Sequence, residues 1–152
     1  MTTTEDGNPM AVNKTMADIA VGDRATRTYT IGEADVVAYA GLIEDVGPLH
    51  LEEDFAAKTH FGSRLSYGML HAGFIGATLA DLLGLGSAYV GQSLRFRAPV
   101  SIGDTLEIAT EVTGKNDEKS RVFVRTTVTR ADGVSAIEGD AELIIFPVPD
   151  TW

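Results

Sequence analysis

The chain has 152 residues, 44% hydrophobic and 22% charged, one domain's worth of polypeptide with enough apolar surface to build a core without disulfide or metal staples. Its net charge of −10 argues against a nucleic-acid binder and against adsorption to an anionic membrane surface. The absence of cysteine excludes disulfide scaffolds, thiolate metal sites and cysteine nucleophiles, and it fits a reducing cytoplasm.

Residues 1–16 are polar and carry the turn signal Asn8-Pro9. They read as a flexible tail, lacking the apolar segment of a secretory signal, ahead of a single domain over 17–152. Residues 24–29 are Thr-rich and alternating, as in a strand. Thr30-Ile31-Gly32-Glu33 has the form of a capping box and predicts a helix over 31–42 that turns Val36, Val37, Tyr39 and Ala40 to one side. Gly47-Pro48 cannot continue that helix, so 44–50 is expected to be loop. Glu52-Glu53-Asp54 then suits the start of a short helix reaching about Thr59, followed by a loop over 60–66. Residues 67–83 form the one long helix, apolar on nearly every face and therefore buried. With His71, Asp81 and several glycines it is a core helix and not a membrane span. Four strands follow, at 88–96, 105–113, 121–129 and 136–146, separated by turn chemistry at 101–104, 114–120 and 131–133. Consecutive strands joined by short turns make an antiparallel meander, and one buried helix requires that sheet to curve around it, an α+β architecture.

The residues best suited to chemistry lie in Asp45-Val46-Gly47-Pro48-Leu49-His50. A carboxylate and an imidazole five positions apart, in a loop bent by Gly-Pro, are a pair that can move a proton on and off water or a carbon acid near neutral pH. The same residues would also serve if Asp45 capped the next turn and His50 were a satisfied, half-buried histidine. Tyr67-Gly68-Met69 opens the long helix, whose free N–H groups can hold a developing oxyanion; a packing glycine is the other reading of Gly68. Over 93–100, alternation turns Leu94 and Phe96 to the core and Arg95 and Arg97 to the opposite face, where they could hold phosphates or stand solvated. The three histidines, His50, His60 and His71, lack metal-ligand spacing, so no metal site is expected, and His71 reads as a core or interface histidine.

In order along the chain, Glu44-Asp45, Pro48-Leu49-His50, Phe55-Ala56, Gly68-Met69-Leu70, Gly91-Gln92-Ser93-Leu94, Phe96, Pro99-Val100 and Gly103-Asp104 resemble the MaoC-like (R)-specific enoyl-CoA hydratase family over about residues 20–147. The resemblance implies a hot-dog fold, an antiparallel sheet curled around one helix, and a homodimer joined through its sheets. It implies hydration of a trans-2-enoyl-CoA thioester to the (R)-3-hydroxyacyl product, or the reverse, with Asp45 and His50 as catalytic pair and the Gly68 N–H on the thioester oxygen. Tyr67, Met69, Gly47 and Gly73 would border the substrate, and Arg95 and Arg97 its phosphates. Coenzyme A enters as part of the substrate, and no cofactor is expected. The pattern departs from the family at Gly47, where Asn is usual, at Tyr67, where His is usual, and at Gly73, where Ser is usual. Gly47 and Gly73 each remove a side chain, which predicts room for a bulkier acyl group. A hot-dog thioesterase and a non-catalytic acyl-CoA-binding protein are the competing functions.

Overall fold

Alternating inward apolar and outward polar residues build one antiparallel sheet in the computed structural model, which describes residues 12–149. Its strands are β1 (Arg24–Thr30), β2 (Ser87–Gln92), β3 (Arg95–Phe96), β4 (Thr105–Asn116), β5 (Arg121–Arg130) and β6 (Ser135–Ile145). They run in the order β1-β4-β5-β6-β2, with β3 also beside β6. β4 buries Leu106, Ile108 and Val112, and β5 buries Val122, Val124 and Val128, on the face turned to the helix α4 (Gly68–Leu83). α4 returns Ile75, Leu79, Leu82 and Leu83 to the same core, each such buried side chain contributing roughly 1.5–3 kcal/mol of transfer free energy. Asp81 of α4 and Arg27 of β1 form a two-point ion pair at 2.5 and 2.7 Å, and Tyr29 stacks on Phe74 with ring centroids 4.1 Å apart. Three shorter helices, α1 (Glu33–Ile43), α2 (Pro48–Leu51) and α3 (Glu53–Ala56), fill the connection between β1 and α4.

Of the tail expected over 1–16, residues 1–11 lie outside the described residues. Lys14 Nζ donates to the Leu82 carbonyl at 2.7 Å, tying the chain there to the end of α4, and Met16–Asp18 make a 3-10 turn.

Several local expectations are corrected. The cap of α1 is Gly32, whose N–H donates to Asp35 Oδ2 at 2.8 Å, and not Thr30 with Glu33. Thr30 is still part of β1: it pairs with Thr105, and the Ile31 N–H donates to the Asp104 carbonyl, so the chain is free to turn helical only two residues later. Val37 accordingly faces outward at 53% exposure, while Val36 and Ala40 are buried. His50 lies within the helical turn α2 and not in a loop, because Pro48 occupies its first position, where a missing N–H costs nothing. β4 continues to Asn116 through a bulge between Val112 and Gly114.

The strand expected over 88–96 is two pieces. At the break the Ser93 hydroxyl accepts the Asp140 N–H at 3.0 Å, replacing a rung of the ladder. The chains press so closely there that a Cβ on Gly139 would overlap the Ser93 carbonyl. Phe96 is not in the core: it is 54% exposed, although it shares a face with buried Ile137. The reason is position, since β3 reaches past the core to the first turn of α4, where the Phe96 ring lies against Gly68.

Candidate active site

α1 ends at Ile43, and Glu44 takes a left-handed conformation (φ 59°) that turns the chain sharply. Asp45 follows, its Oδ1 accepting the Gly47 N–H at 3.0 Å, a side-chain turn typical of aspartate. The Gly47 carbonyl accepts the His50 N–H at 3.1 Å, so α2 starts on this turn and carries His50. The two side chains converge: Asp45 Oδ1 and His50 Cδ2 lie 3.1 and 3.8 Å from where a Cβ on Gly47 would stand.

His50 is fixed from the segment that precedes α4. Its Nδ1 lies 2.9 Å from the Leu65 carbonyl, which can only accept, so Nδ1 carries a proton, and in the neutral ring the lone pair is on Nε2. Arg64 Nε donates to the His50 carbonyl at 2.9 Å while Arg64 Nη2 holds both carboxylate oxygens of Glu33, at 2.8 and 2.6 Å. Tyr67, the cap residue of α4, stacks on His50 with centroids 3.8 Å apart and donates its hydroxyl to the Asp45 carbonyl at 2.5 Å.

Gly68 is the first residue of α4, so its N–H has no carbonyl one turn earlier to bond, and among the described residues no acceptor meets it. It opens onto a cavity of about 380 Å³ whose wall includes His50, Ser66, His71, Phe96 and Ile137. A Cβ here would come within 2.7 Å of the Phe96 ring. Ser66 and His71 are buried and joined Oγ to Nε2 at 2.8 Å, and burial pushes the His71 imidazole down to about 4. A neutral, hydrogen-bonded His71 agrees with a core histidine that also borders the cavity.

The structure thus brings Asp45, Gly47, His50, Tyr67 and Gly68 together. Tyr67 is buried, stacked beneath His50, and neither it nor Asp45 is among the residues that line the cavity. Met69 and Gly73 are elsewhere: they line a separate, mostly apolar cavity of about 350 Å³ with Tyr89, Val90 and Leu94. Gly47 and Gly73 therefore do not enlarge one common pocket. Arg95 and Arg97 are exposed beside Glu138 and Asp140, and Arg97 Nε donates to Glu138 Oε2 at 3.0 Å, which holds the Glu138 carboxyl below its usual range. Arg97 also reaches the wall of the first cavity. Arg64 and the Ser66–His71 pair went unnoticed in sequence, where a loop arginine and a serine five residues from a histidine carry no periodic signal. Among the described residues no group of three potential metal ligands occurs, and no helix is long and apolar enough to cross a membrane.

A sheet wrapped around one helix, with an Asp/His cluster at the head of that helix, defines a hot-dog protein, and comparisons with known proteins agree. An (R)-hydratase from Aeromonas caviae involved in PHA biosynthesis superposes with a TM-score of 0.81 at 37% identity, covering 84% of this chain and 98% of that one. The (R)-specific enoyl-CoA hydratase of Rhodospirillum rubrum is 47% identical over 84% of this chain and 89% of its own length. The 3-hydroxybutyryl-CoA dehydratase of Methylorubrum extorquens is 40% identical over 82% of this chain and 79% of its own. The family description "MaoC like domain" matches residues 4–134, and the chain belongs to the MaoC-like dehydratase family.

Proposed function

We propose that this protein is a hydro-lyase that adds water to a trans-2-enoyl-CoA to give the (R)-3-hydroxyacyl-CoA, or runs the reverse dehydration, in the cytoplasm. The hydro-lyase class rests on relatives of 47 and 40% identity that span most of the chain. The observation that carries the mechanism is the cluster itself, a carboxylate and an imidazole on either side of Gly47, with the free N–H of Gly68 on the cavity that His50 lines.

His50 Nε2, the nitrogen left with a lone pair, takes a proton from water as its oxygen bonds to C3 of the enoyl group. Asp45 orients that water and stabilises the imidazolium. The C2=C3 electron pair moves into the thioester, and the Gly68 N–H holds the oxygen as it gains enolate charge. The enolate then returns the pair to C2, which takes the proton from the pair, and the thioester carbonyl is restored. The step is redox-neutral and leaves the two side chains as they began, so it calls for no cofactor. Arg97, on the cavity rim, with Arg95 nearby, is assigned to the phosphates of coenzyme A. Neutralising Arg97 is expected to raise KM with kcat little altered.

The protein is further proposed to work as a homodimer. Among the described residues β2 is a sheet edge with an unpaired side, and Tyr89 and Val90 of β2, with Met69 of α4, stand at about half exposure. Met69 and Gly73 are assigned to this face and not to the reacting centre.

The test follows the loss of enone absorbance of crotonyl-CoA. Asp45→Asn and His50→Gln should each lower kcat on the order of 10²–10⁴-fold, and the double variant little further, because the two share one proton transfer. Near-normal hydration by either folded single variant overturns the mechanism. Release of free coenzyme A in place of hydration indicates a thioesterase.

A further inference from the structure

We infer that Tyr67 is a positioning residue for this reaction, a brace that locks Asp45 and His50 to one another through two ends of one side chain. The inference rests on the hydratase reading above. The ring lies face to face with the His50 imidazole at 3.8 Å, 26° from parallel, and the hydroxyl donates to the Asp45 carbonyl at 2.5 Å. One side chain thus touches both members of the pair, which sit on different segments, a loop and the helical turn α2.

Tyr67 is itself held firmly. It is buried, it caps α4 with its carbonyl accepting the N–H groups of Leu70 and His71, and its ring meets that of Tyr39 from α1 at 5.3 Å. Asp45 is the opposite case: exposed, and in a loop that begins with a left-handed residue. Among the described residues, the Tyr67 hydroxyl makes the one hydrogen bond that reaches residues 44–47 from outside their flanking helices. Without it, the peptide that carries the Asp45 side chain has only its own turn to Gly47 to set its direction. Burial and the nearby Asp45 charge both raise the Tyr67 hydroxyl above its ordinary range, so it remains a donor throughout the working pH. It is no proton source for substrate, because the phenol proton is spent on a backbone carbonyl. Its contribution is therefore geometric, and geometry at a proton-transfer site is worth about 10²-fold per ångström of misplacement.

Tyr67→Phe keeps the ring on His50 and deletes only the hydroxyl. For crotonyl-CoA it should lower kcat about tenfold or more with KM within about twofold, whereas Tyr67→Leu, which removes both contacts, should lower it at least another few-fold. In an Asp45→Asn background Tyr67→Phe should cost almost nothing further, since it acts through Asp45. Wild-type kcat in folded Tyr67→Phe, a rise confined to KM, or full additivity with Asp45→Asn each overturns the inference. A readout needing no variant covers poor folding of Tyr67→Phe: the stacked phenol must shift the His50 ring protons upfield in the NMR spectrum, and unshifted resonances also overturn it. These failures are separable from failure of the hydratase reading, which would appear as no hydration by the unmodified protein or full activity in Asp45→Asn.

Discussion

Gly47 shows how one atom's space decides a role at the scale of the residue. Its backbone (φ −56°) suits any amino acid, so the constraint is steric: a Cβ would stand 3.1 Å from Asp45 Oδ1. The carboxylate must then yield, and its hydrogen bond from the Gly47 N–H weakens. Gly47→Ala should lower kcat for crotonyl-CoA roughly three- to tenfold with little change in KM; equal or faster turnover would refute this. His71 gives a pH-dependent prediction. Burial holds it at about 4, below its ordinary 6.5, with only Asp104 opposing. Between those values the unfolded chain binds more protons than the folded one, so stability falls as pH drops through 6.5 and the loss is complete below 4. The difference corresponds to about 3 kcal/mol, and the Ser66→Ala/His71→Leu double variant, which leaves no orphaned partner, should flatten that part of a urea-denaturation pH series. An unchanged slope would mean that His71 does not carry it.

Among the elements, the arginine strut is what joins α1 to α2. Arg64 is mostly buried, with 15% of its side chain exposed, while its partner Glu33 is 59% exposed. The two ends are therefore unequal. Arg64→Ala strips the His50 carbonyl of a charged donor and should cost about 1–3 kcal/mol of stability and lower kcat. Glu33→Gln breaks only an exposed ion pair and should cost less than about 1 kcal/mol. Thermal melts with parallel crotonyl-CoA assays check both, and an equal effect of the two changes would refute the asymmetry. The strut was invisible in sequence because Arg64 and Glu33 are 31 residues apart and neither belongs to a repeating pattern. The Thr30 cap failed for a related reason: the pattern suited a helix start, but cross-strand pairing with Thr105 kept that residue in β1.

At the scale of the whole molecule, the edge strand β2 and the exposed side of α4 lead to an assembly prediction. Tyr89→Asp should reduce a light-scattering mass of twice the chain toward that of one chain, since a charge on a desolvated contact costs several kcal/mol. A wild-type monomer at micromolar concentration would refute the dimer. Much of this architecture was legible along the chain. Period-two runs marked β4, β5 and β6, an all-apolar stretch marked α4, and Gly-Pro after Asp45 marked the turn, because each signal is local and repeats within a few residues. The family resemblance likewise rested on ordered local motifs. Four things were decided only in three dimensions: the break at Ser93, the exposure of Phe96, the separation of Gly73 from Gly47, and the placing of Tyr67 under His50. Each depends on which distant segment arrives alongside: β6 at Ser93, the first turn of α4 at Phe96, β2 beside Gly73 of α4 while Gly47 stays in the turn ahead of α2, and α2 over Tyr67. A residue's type and its neighbours along the chain determine what it can form, but the partner that satisfies it is chosen by the packing of segments far apart in sequence.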